Sequence, residues 1–494
     1  MEEALGRHHR TSLLVAALAE ATPEEGAALL EGLVFGVSID RERASTRRGQ
    51  AALLTAANVL ARTSGALTLT VPAVDVLIPG LHWRGTLDQV VIALVEWAGG
   101  RVTRRQPSSG VHIGAASDEG FVLAQGDDWN AYVDDPDRRI GDGPLALGAV
   151  SAAHLAAARA FHLAIGSALG LRALSRAPIG VRLGFGSPVP PQPHAPAVKD
   201  FTLIGAGAVG DALLWALVLG GVSIAGTALV IDPQTLDATN LNRHLLAGVN
   251  DIGRAKSEVA RTFLSAAARA ESVVGRFVPA PSPIDTLVST VDNNEARYQA
   301  QASFPRTLYH AATQAEHVSV GVFDFRRGAC LGCLFPRGSR TQAQLIAEET
   351  GLDPTEVATV LAADGVLSAP MLEPIARRLG VARSTLEPLI GRNLREVYAR
   401  ELCGRLPIGA TPGAPVATIA YASGLAGALL AAELVRDADP RLAASRSQNY
   451  LQMAAASPAA AWISFREKEH DCPLMCGSPS LQAFVKQLHA GASA

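Results

Sequence analysis

The stretch FTLIGAGAVGDALLWALVLGGVSIAGTALVID, residues 201–232, decides the fold. An apolar run ends in a turn with Gly205, Gly207 and Gly210; a helix-like run and a second apolar run, ending at Asp232, follow. This order predicts a strand, a tight turn into a helix N-terminus, and a second strand with an acid at its tip. Glycines let the backbone approach a phosphate at the helix N-terminus, and an acid about 20 residues further on can bind a ribose hydroxyl. By itself the pattern is weak and is most typical of a dinucleotide-dependent dehydrogenase.

The residues after Asp232 favour a different use of the nucleotide. The chain continues DPQTLDATNLNRHLLAGVNDIGRAK and places Asn240, Asn242, Arg243 and Lys256 beyond the second strand. A dehydrogenase has little use for fixed cations there. An enzyme that attacks the α-phosphate of ATP needs them, because negative charge builds up on the transferring group. Taken singly, each residue reads as an ordinary capping or surface group, but their order favours a phosphate site.

A further strand carries a candidate metal ligand. In LVSTVDNNEAR, residues 287–297, an apolar run ends at Asp292, and Asn293, Asn294 and Arg297 follow. A carboxylate at that point can hold the Mg²⁺ that accompanies ATP. The sequence therefore predicts a MgATP site at the ends of its strands.

Together these motifs resemble the adenylating domain of the ubiquitin-activating enzyme superfamily, whose bacterial members include the ThiF-type sulfur-carrier adenylyltransferases. The resemblance covers residues 199–336 and resumes near residue 410. It implies that Asp232 binds ribose and that Asp292 holds Mg²⁺. The phosphate-binding residues that it implies are Asn240, Arg243 and Lys256, above the turn formed by Gly205, Gly207 and Gly210. The sequence departs from the family at Gln234, where a second acid is common, and this departure puts one ribose or magnesium contact in doubt.

Composition limits the classes of protein that fit. With 494 residues the chain is too long for one core, so we expect two or three domains. The net charge of -3 gives no electrostatic footprint for nucleic acid. We expect no signal peptide, because no apolar core follows the N-terminal MEEALGRHHR. We also expect no membrane span, because the uncharged run 212–231 is interrupted by Gly220 and Gly221 and reads as a buried helix plus strand. The five cysteines indicate a reducing, cytoplasmic setting.

Residues 1–186 predict a second α/β domain ahead of the nucleotide-binding one. Its strand and helix runs mimic the second half, and Arg41 with the pair Gly49-Gln50 resembles the entry segment of activating-enzyme domains. The segment lacks a glycine turn and ATP-binding groups. We therefore interpret it as an inactive adenylation-like domain that forms an internal pseudo-dimer with the active one and lends Arg41 to the ATP site. The alternative is an unrelated α/β domain that binds a partner.

A Pro-rich linker joins the two halves over residues 187–198. The stretch SPVPPQPHAPA carries five prolines in eleven positions, which neither a helix nor a central strand accepts. We expect the second domain to begin directly after it.

Two cysteine pairs form a candidate metal site. Cys330 and Cys333 have a knuckle spacing, and Cys472 and Cys476 form a similar pair with one extra residue. Four thiolates on tight turns suit tetrahedral Zn²⁺, and with all four positions filled the metal would be structural. The alternative is two unrelated thiol pairs. The family resemblance favours zinc, because many members carry paired cysteines at these places.

Residues 339–408 differ from the flanking sequence in their pattern of apolar and polar residues, and this pattern predicts a helical insertion. Short amphipathic runs follow one another, and we expect the last helix to extend from Arg383 to Cys403. A helix-turn-helix use on DNA is rejected, since acids outnumber bases here. Cys403 lies in the interval that holds the carrier-accepting thiol in the family, and Arg400 and Arg405 would favour its thiolate. The alternative for Cys403 is a small buried hydrophobic residue.

The sequence as a whole predicts an α/β fold. A Rossmann-like adenylation domain, residues 199–338 and 409–494, carries the helical insertion and follows the second α/β domain. The expected chemistry has two steps. The C-terminal glycine carboxylate of a ubiquitin-like carrier first attacks the α-phosphate of MgATP, with Arg243, Lys256 and Asp292 assisting. The Cys403 thiolate then accepts the acyl group, which passes to a separate conjugating protein.

Three alternatives remain open at this point. A sulfur-carrier adenylyltransferase would share the first step and need no transfer thioester. A nicotinamide-dependent oxidoreductase would keep the glycine turn and leave Arg243, Lys256 and Asp292 idle. A non-enzymatic scaffold would have lost catalysis in both halves.

Overall fold

A computed structural model gives the arrangement of the chain. The structure describes residues 11–490 except 13, 17, 20, 116–119, 139, 171–175, 186–196, 280–282, 315, 336–341, 364, 380–381 and 399–418. Most of the Pro-rich segment and the position of Cys403 thus lie outside the described residues.

The first half combines one sheet with packed helices. Its seven strands have the order β3-β2-β1-β4-β5-β6-β7. The strands are β1 (Phe35–Ile39), β2 (Ala66–Thr70), β3 (Arg101–Val102), β4 (Ser109–Ile113), β5 (Phe121–Gly126), β6 (Asn130–Val133) and β7 (Ile179–Arg182). The helices are α1 (Pro23–Gly32), α2 (Arg41–Ala44), α3 (Arg47–Ser64), α4 (Leu87–Trp97) and α5 (Leu147–Ala168).

The second half contains an eight-stranded sheet of order β10-β9-β8-β11-β12-β13-β14-β15. Its strands are β8 (Phe201–Ile204), β9 (Thr227–Asp232), β10 (Arg269–Val274), β11 (Thr286–Ser289), β12 (Thr307–Gln314), β13 (His317–Phe323), β14 (Tyr450–Ala454) and β15 (Ser457–Ser464). Its helices outside the insertion are α6 (Ala208–Leu219), α7 (Lys256–Leu264), α8 (Asn294–Ala302), α9 (Leu331–Leu334), α15 (Ala420–Asp437), α16 (Pro440–Ala444) and α17 (Pro479–Ala490). The uncharged run 212–231 is split, as predicted, between a buried helix and a strand.

The two sheets repeat one topology. β1 pairs in parallel with β2 and β4, as β8 does with β9 and β11. The next pair along each sheet, β5–β6 and β12–β13, is antiparallel. The predicted α/β fold, with a Rossmann-like domain preceded by a second α/β domain, is therefore confirmed. The halves differ at the first turn, because β1 leads into Asp40 and the short helix α2 where β8 leads into the glycine turn.

Helices α3, α5, α6 and α15 pack together and join the halves around one hydrophobic core. Trp215 of α6 is fully buried and donates its indole N–H to Thr55 Oγ1 of α3 at 3.0 Å. The close crossing of α15 and α6 depends on Gly427, where a Cβ would lie 2.4 Å from the Leu213 nitrogen. The interface is thus set by backbone approach as well as by apolar side chains.

The insertion forms a separate small core. Its helices are α10 (Gln342–Thr350), α11 (Pro354–Ala362), α12 (Leu372–Leu379), α13 (Arg383–Leu386) and α14 (Leu394–Val397), with 3₁₀ turns at Ala369–Met371 and Glu387–Leu389. Side chains such as Ile346, Val357 and Ile375 are buried against one another. The expectation of one helix from Arg383 was wrong. Pro388 lies in the 3₁₀ turn, and Gly391 has a φ of 81°, so the backbone turns there.

No helix among the described residues is both long and apolar enough to cross a membrane.

We predict that Gly427→Ala lowers the free energy of unfolding by about 1–3 kcal/mol, because the added methyl overpacks the crossing of α15 and α6. The matched control is Gly166→Ala in α5, where an added Cβ meets nothing within 4 Å. That change should be neutral or stabilise by up to about 1 kcal/mol through helix propensity. Urea unfolding of both variants measures the difference, and equal effects would contradict the assigned crossing.

Candidate active site

The glycine turn after β8 has the geometry that the sequence predicted. Gly205 has a φ of 93°, and a Cβ on Gly210 would lie 2.2 Å from the Gly205 carbonyl oxygen. These two glycines allow the turn itself. At Gly207 a Cβ would meet nothing within 4 Å, so this part of the turn is open to a ligand. The turn leads into α6, whose N-terminal N–H groups favour an anion.

Asp232 lies at the end of β9 beside this turn and is only 6% exposed. Its carboxylate accepts hydrogen bonds from the backbone N–H of Ala206 and of Gln234, both at 2.8 Å. Burial raises the pKa of Asp232, and these backbone donors oppose the rise. The acid therefore fastens the glycine turn to the tip of β9.

Gln234, the departure from the family pattern, has a definite contact. Its side-chain oxygen accepts a hydrogen bond from Lys256 Nζ at 2.7 Å, and its carbonyl accepts one from the Lys256 N–H at 2.9 Å. Lys256 begins α7 and is 8% exposed. Burial lowers the pKa of Lys256, and the Asp232 carboxylate opposes this change. Gln234 thus holds Lys256 beside the turn that follows β9.

Residues 240–243 form an irregular segment between β9 and α7. Asn240 is 5% exposed, and its amide nitrogen lies 3.2 Å from Asp237 Oδ1, the N-cap of the 3₁₀ turn Ala238–Asn240. Arg243 is half-buried and donates from Nη1 to the Thr239 carbonyl at 2.8 Å and to Asn242 Oδ1 at 2.9 Å. Arg243 is close enough to Lys256 for its charge to depress the pKa of that lysine. Two cations therefore share this edge of the sheet.

Asp292 is exposed just beyond β11, next in the sheet to β8. Thr290, two residues earlier, donates to the Gly205 carbonyl at 2.6 Å and ties this strand end to the glycine turn. Asn293 is the N-cap of α8. The Asp292 carboxylate just before it is exposed at this edge of the sheet. Behind it, Arg297 is buried with its guanidinium 4.0 Å from the centre of the Phe335 ring, and burial lowers its pKa to about 10.

Sequence reasoning missed a buried contact between an aspartate and a histidine beneath the turn. Asp211, in the first turn of α6, lies with its Oδ2 3.0 Å from His244 Nδ1, and both side chains are almost fully buried. Burial raises the pKa of Asp211 well above its ordinary value, against the opposing effect of Lys256 and Arg62. One signal was available, since Asp211 is the single charge at the head of an otherwise apolar run.

One predicted site residue is not brought into this group. Arg41 is exposed at the start of α2, and within the described part of the chain its side chain makes no hydrogen bond or ion pair with the nucleotide-site residues. Cys403 lies outside the described residues. The roles of both stay predictions.

The four paired cysteines meet at a separate place. Their sulfur atoms all lie within 4.8 Å of one another and are buried. The Cys330–Cys472, Cys333–Cys476 and Cys330–Cys333 sulfur separations are 3.5, 3.4 and 3.9 Å. Tetrahedral zinc with Zn–S distances of about 2.3 Å needs edges of about 3.8 Å, so the cluster fits this metal. The Glu469 N–H lies 3.4 Å from Cys333 Sγ, as expected around a thiolate ligand.

Two family models match the chain. The ThiF family matches residues 198–474, and the BilD N-terminal domain matches residues 35–179. The chain is 32% identical to the uncharacterized protein y4jF of Sinorhizobium fredii over 252 residues, 47% of this chain and 48% of that protein. Ubiquitin-like modifier-activating enzyme 7 of Homo sapiens is 35% identical over 122 residues, 23% of this chain and 12% of the enzyme.

One further relative and one solved structure are similar to the chain. The sulfur carrier protein adenylyltransferase of Thermus thermophilus is 27% identical over 222 residues, 38% of this chain and 81% of that enzyme. A crystal structure of Escherichia coli MccB with ATP matches with a TM-score of 0.35 and 14% identity, over 57% of this chain and 68% of the MccB chain. The aligned region thus spans about half of y4jF and a smaller part of the human enzyme. Because the family match takes in more than half of the chain, the protein belongs to the ThiF family.

Proposed function

We propose that this protein activates the C-terminal carboxylate of a small ubiquitin-like carrier by adenylation with ATP. The observation that supports this most is the convergence of the glycine turn, Asp232, Lys256, the Arg243 segment and Asp292 at the carboxyl ends of β8, β9 and β11. Open α/β sheets bind ligands at this edge. The relatives named for ubiquitin-like modifier activation and for sulfur-carrier adenylylation agree with this class of reaction.

In this proposal each residue acts through its position. The glycine turn receives the triphosphate at the N-terminus of α6, and Asp232 binds the ribose hydroxyls. The carrier carboxylate attacks the α-phosphate, which gives an acyl adenylate and pyrophosphate. Arg243, Asn240 and Lys256 stabilise the charge that develops on the phosphoryl oxygens. Asp292 would hold Mg²⁺, which neutralises phosphate charge when it is bound.

The second proposed step is transfer of the acyl group to Cys403. The thiolate attacks the acyl carbon, AMP leaves, and a thioester forms that a separate conjugating protein would receive. The support for this step is the position of Cys403 in the sequence. The alternative is a sulfur-carrier adenylyltransferase that releases its adenylate without such a thioester.

We further propose that Cys330, Cys333, Cys472 and Cys476 bind one structural Zn²⁺. The support is the convergence of the four sulfurs within 4.8 Å of one another, since four thiolates suit tetrahedral Zn²⁺. The metal would link the segment that follows β13 to the segment that precedes α17.

For the ATP site we predict that Asp292→Ala lowers ATP–pyrophosphate exchange about 100-fold or more, because it removes a magnesium ligand. The fold should persist, since this side chain is exposed. The matched control is Asp285→Ala at the opposite end of the same strand, whose side chain is 74% exposed and which should exchange normally. A folded Asp292 variant with full exchange would remove Asp292 from the site.

For the metal we predict about one zinc per chain in protein purified without chelators. Cys330→Ser or Cys476→Ser should lower both the zinc content and Tm, because three thiolates bind zinc less well than four. Cys403→Ser is the matched control and should keep its zinc. Elemental analysis that finds no zinc in the unmodified protein would rule the site out.

For the two steps we predict that Cys403→Ala keeps pyrophosphate exchange and loses the reducible carrier–enzyme thioester on a non-reducing gel. Adenylation needs the glycine turn, the cations and Asp292, whereas the thioester needs the thiol. The Asp292→Ala variant should lose both signals. A reducible adduct that survives in Cys403→Ala would assign the thiol elsewhere, and a wild-type chain that exchanges pyrophosphate without any adduct would favour the sulfur-carrier alternative.

A further inference from the structure

A buried arginine of the first half reaches into the second half. Arg62, near the end of α3, is 1% exposed. Its Nη1 and Nη2 donate to the carbonyls of Leu241 and Ala247 at 2.7 and 2.8 Å, and its Nε donates to Asn58 Oδ1 at 2.8 Å. One guanidinium therefore connects both ends of an irregular segment to α3.

Further groups of the first half complete the contact. Asn58 donates from Nδ2 to the Leu245 carbonyl at 3.0 Å. The Trp97 ring lies against Gly248, where a Cβ would come within 2.0 Å of the indole nitrogen, and the Arg62 guanidinium carbon is 5.2 Å from the centre of that ring. Buried carbonyls need donors. Three carbonyls of residues 241–247 obtain theirs from side chains of α3.

The same segment carries the groups of the candidate phosphate site. Arg243 lies between the two carbonyls that Arg62 binds, and Asn240 immediately precedes the first of them. His244 is held from the other side by Asp211. The segment is therefore fixed between α3 of the first half and the head of α6 of the second.

We propose that Arg62 is a positioning residue, which holds residues 241–247 so that Arg243 and Asn240 lie at the phosphates of ATP. This inference rests on the proposed function, because it gives the segment a nucleotide to bind. It assigns the first half a part in catalysis that does not depend on Arg41.

The choice of residue follows from geometry and charge. The planar guanidinium presents several N–H groups in a fixed fork and can serve two carbonyls and Asn58 at once, whereas a lysine ammonium is a compact point charge. The carboxylates of Asp211 and Asp251 favour the charged form. They act against burial, which lowers the pKa of Arg62 to about 9, so the group stays protonated at neutral pH.

The test compares Arg62→Met and Arg62→Lys with a matched control in the full chain. The control is Arg159→Met, since Arg159 is also a buried arginine of the first half and donates to Asp134 and to the Ala177 carbonyl, both within that half. Amide hydrogen exchange of residues 238–248 reports the segment directly. The KM for ATP and kcat in pyrophosphate exchange report its effect on the site.

Arg62→Met should speed hydrogen exchange in residues 238–248 and raise the KM for ATP, each about tenfold, while Arg159→Met changes neither. Arg62→Lys should stay defective, because one ammonium does not replace the fork. In an Arg243→Ala background the effect of Arg62→Met on KM should shrink, since Arg62 is proposed to act through that residue. Full recovery with lysine, or additive effects of the two changes, would overturn the proposal.

Two outcomes separate this proposal from the function on which it rests. A wild-type chain that neither binds MgATP nor exchanges pyrophosphate would overturn the proposed function. Hydrogen exchange would then still show whether Arg62 holds the segment. Unchanged hydrogen exchange in Arg62→Met, in a protein that exchanges pyrophosphate normally, would overturn the role of Arg62 alone.

Discussion

The burial of helix α6 is the constraint on which the rest of the structure depends. Between Val209 and Leu219 every residue of this helix is buried, and all of them except Asp211 are uncharged. A helix that is apolar on all sides needs cover on all sides. The sheet covers one side of it, and α15 and the first half cover the others. The nucleotide turn sits at the head of this helix, so the site and the shared core are parts of one arrangement.

Charge at the candidate site is arranged around the same helix. Asp211 and Asp232 are buried near Lys256, and each ionic group changes the pKa of its neighbours. In a low dielectric an unpaired charge is costly. Lys256 favours the charged form of both acids, whereas Asp232 opposes the charged form of Asp211. An anionic ligand at this edge would contact the half-buried Arg243 and the buried Lys256. Hydrogen bonds within the protein already hold both side chains in place.

The sequence predicted the parts of the site that depend on local pattern. Gly205, Gly210 and the tip residue Asp232 follow from the periodicity of one strand–turn–helix–strand unit, and the cysteine pairs follow from their spacing. Contacts between distant segments could not be predicted in this way. Arg62 appears as one arginine in an alanine-rich helix, and nothing nearby indicates that its partners are carbonyls about 180 residues away. The broken helix after Arg383 was a local error, since Pro388 and Gly391 were readable signals.

The first half repeats the topology of the second, but its strand ends are packed differently. At the carboxyl ends of β4 and β5, Ile113 and Gly126 line a cavity of about 20 Å³, enough for about one water molecule. Arg43 and Arg48 close this place by donating to backbone carbonyls between residues 140 and 145. A Cβ on Gly126 would lie 2.2 Å from the Gly148 backbone, so the two backbones pack directly against each other here. That the first half is an inactive adenylation-like domain stays a prediction. The helices of the first half supply apolar cover for α6. They also supply the hydrogen-bond donors for the buried carbonyls of residues 241–247.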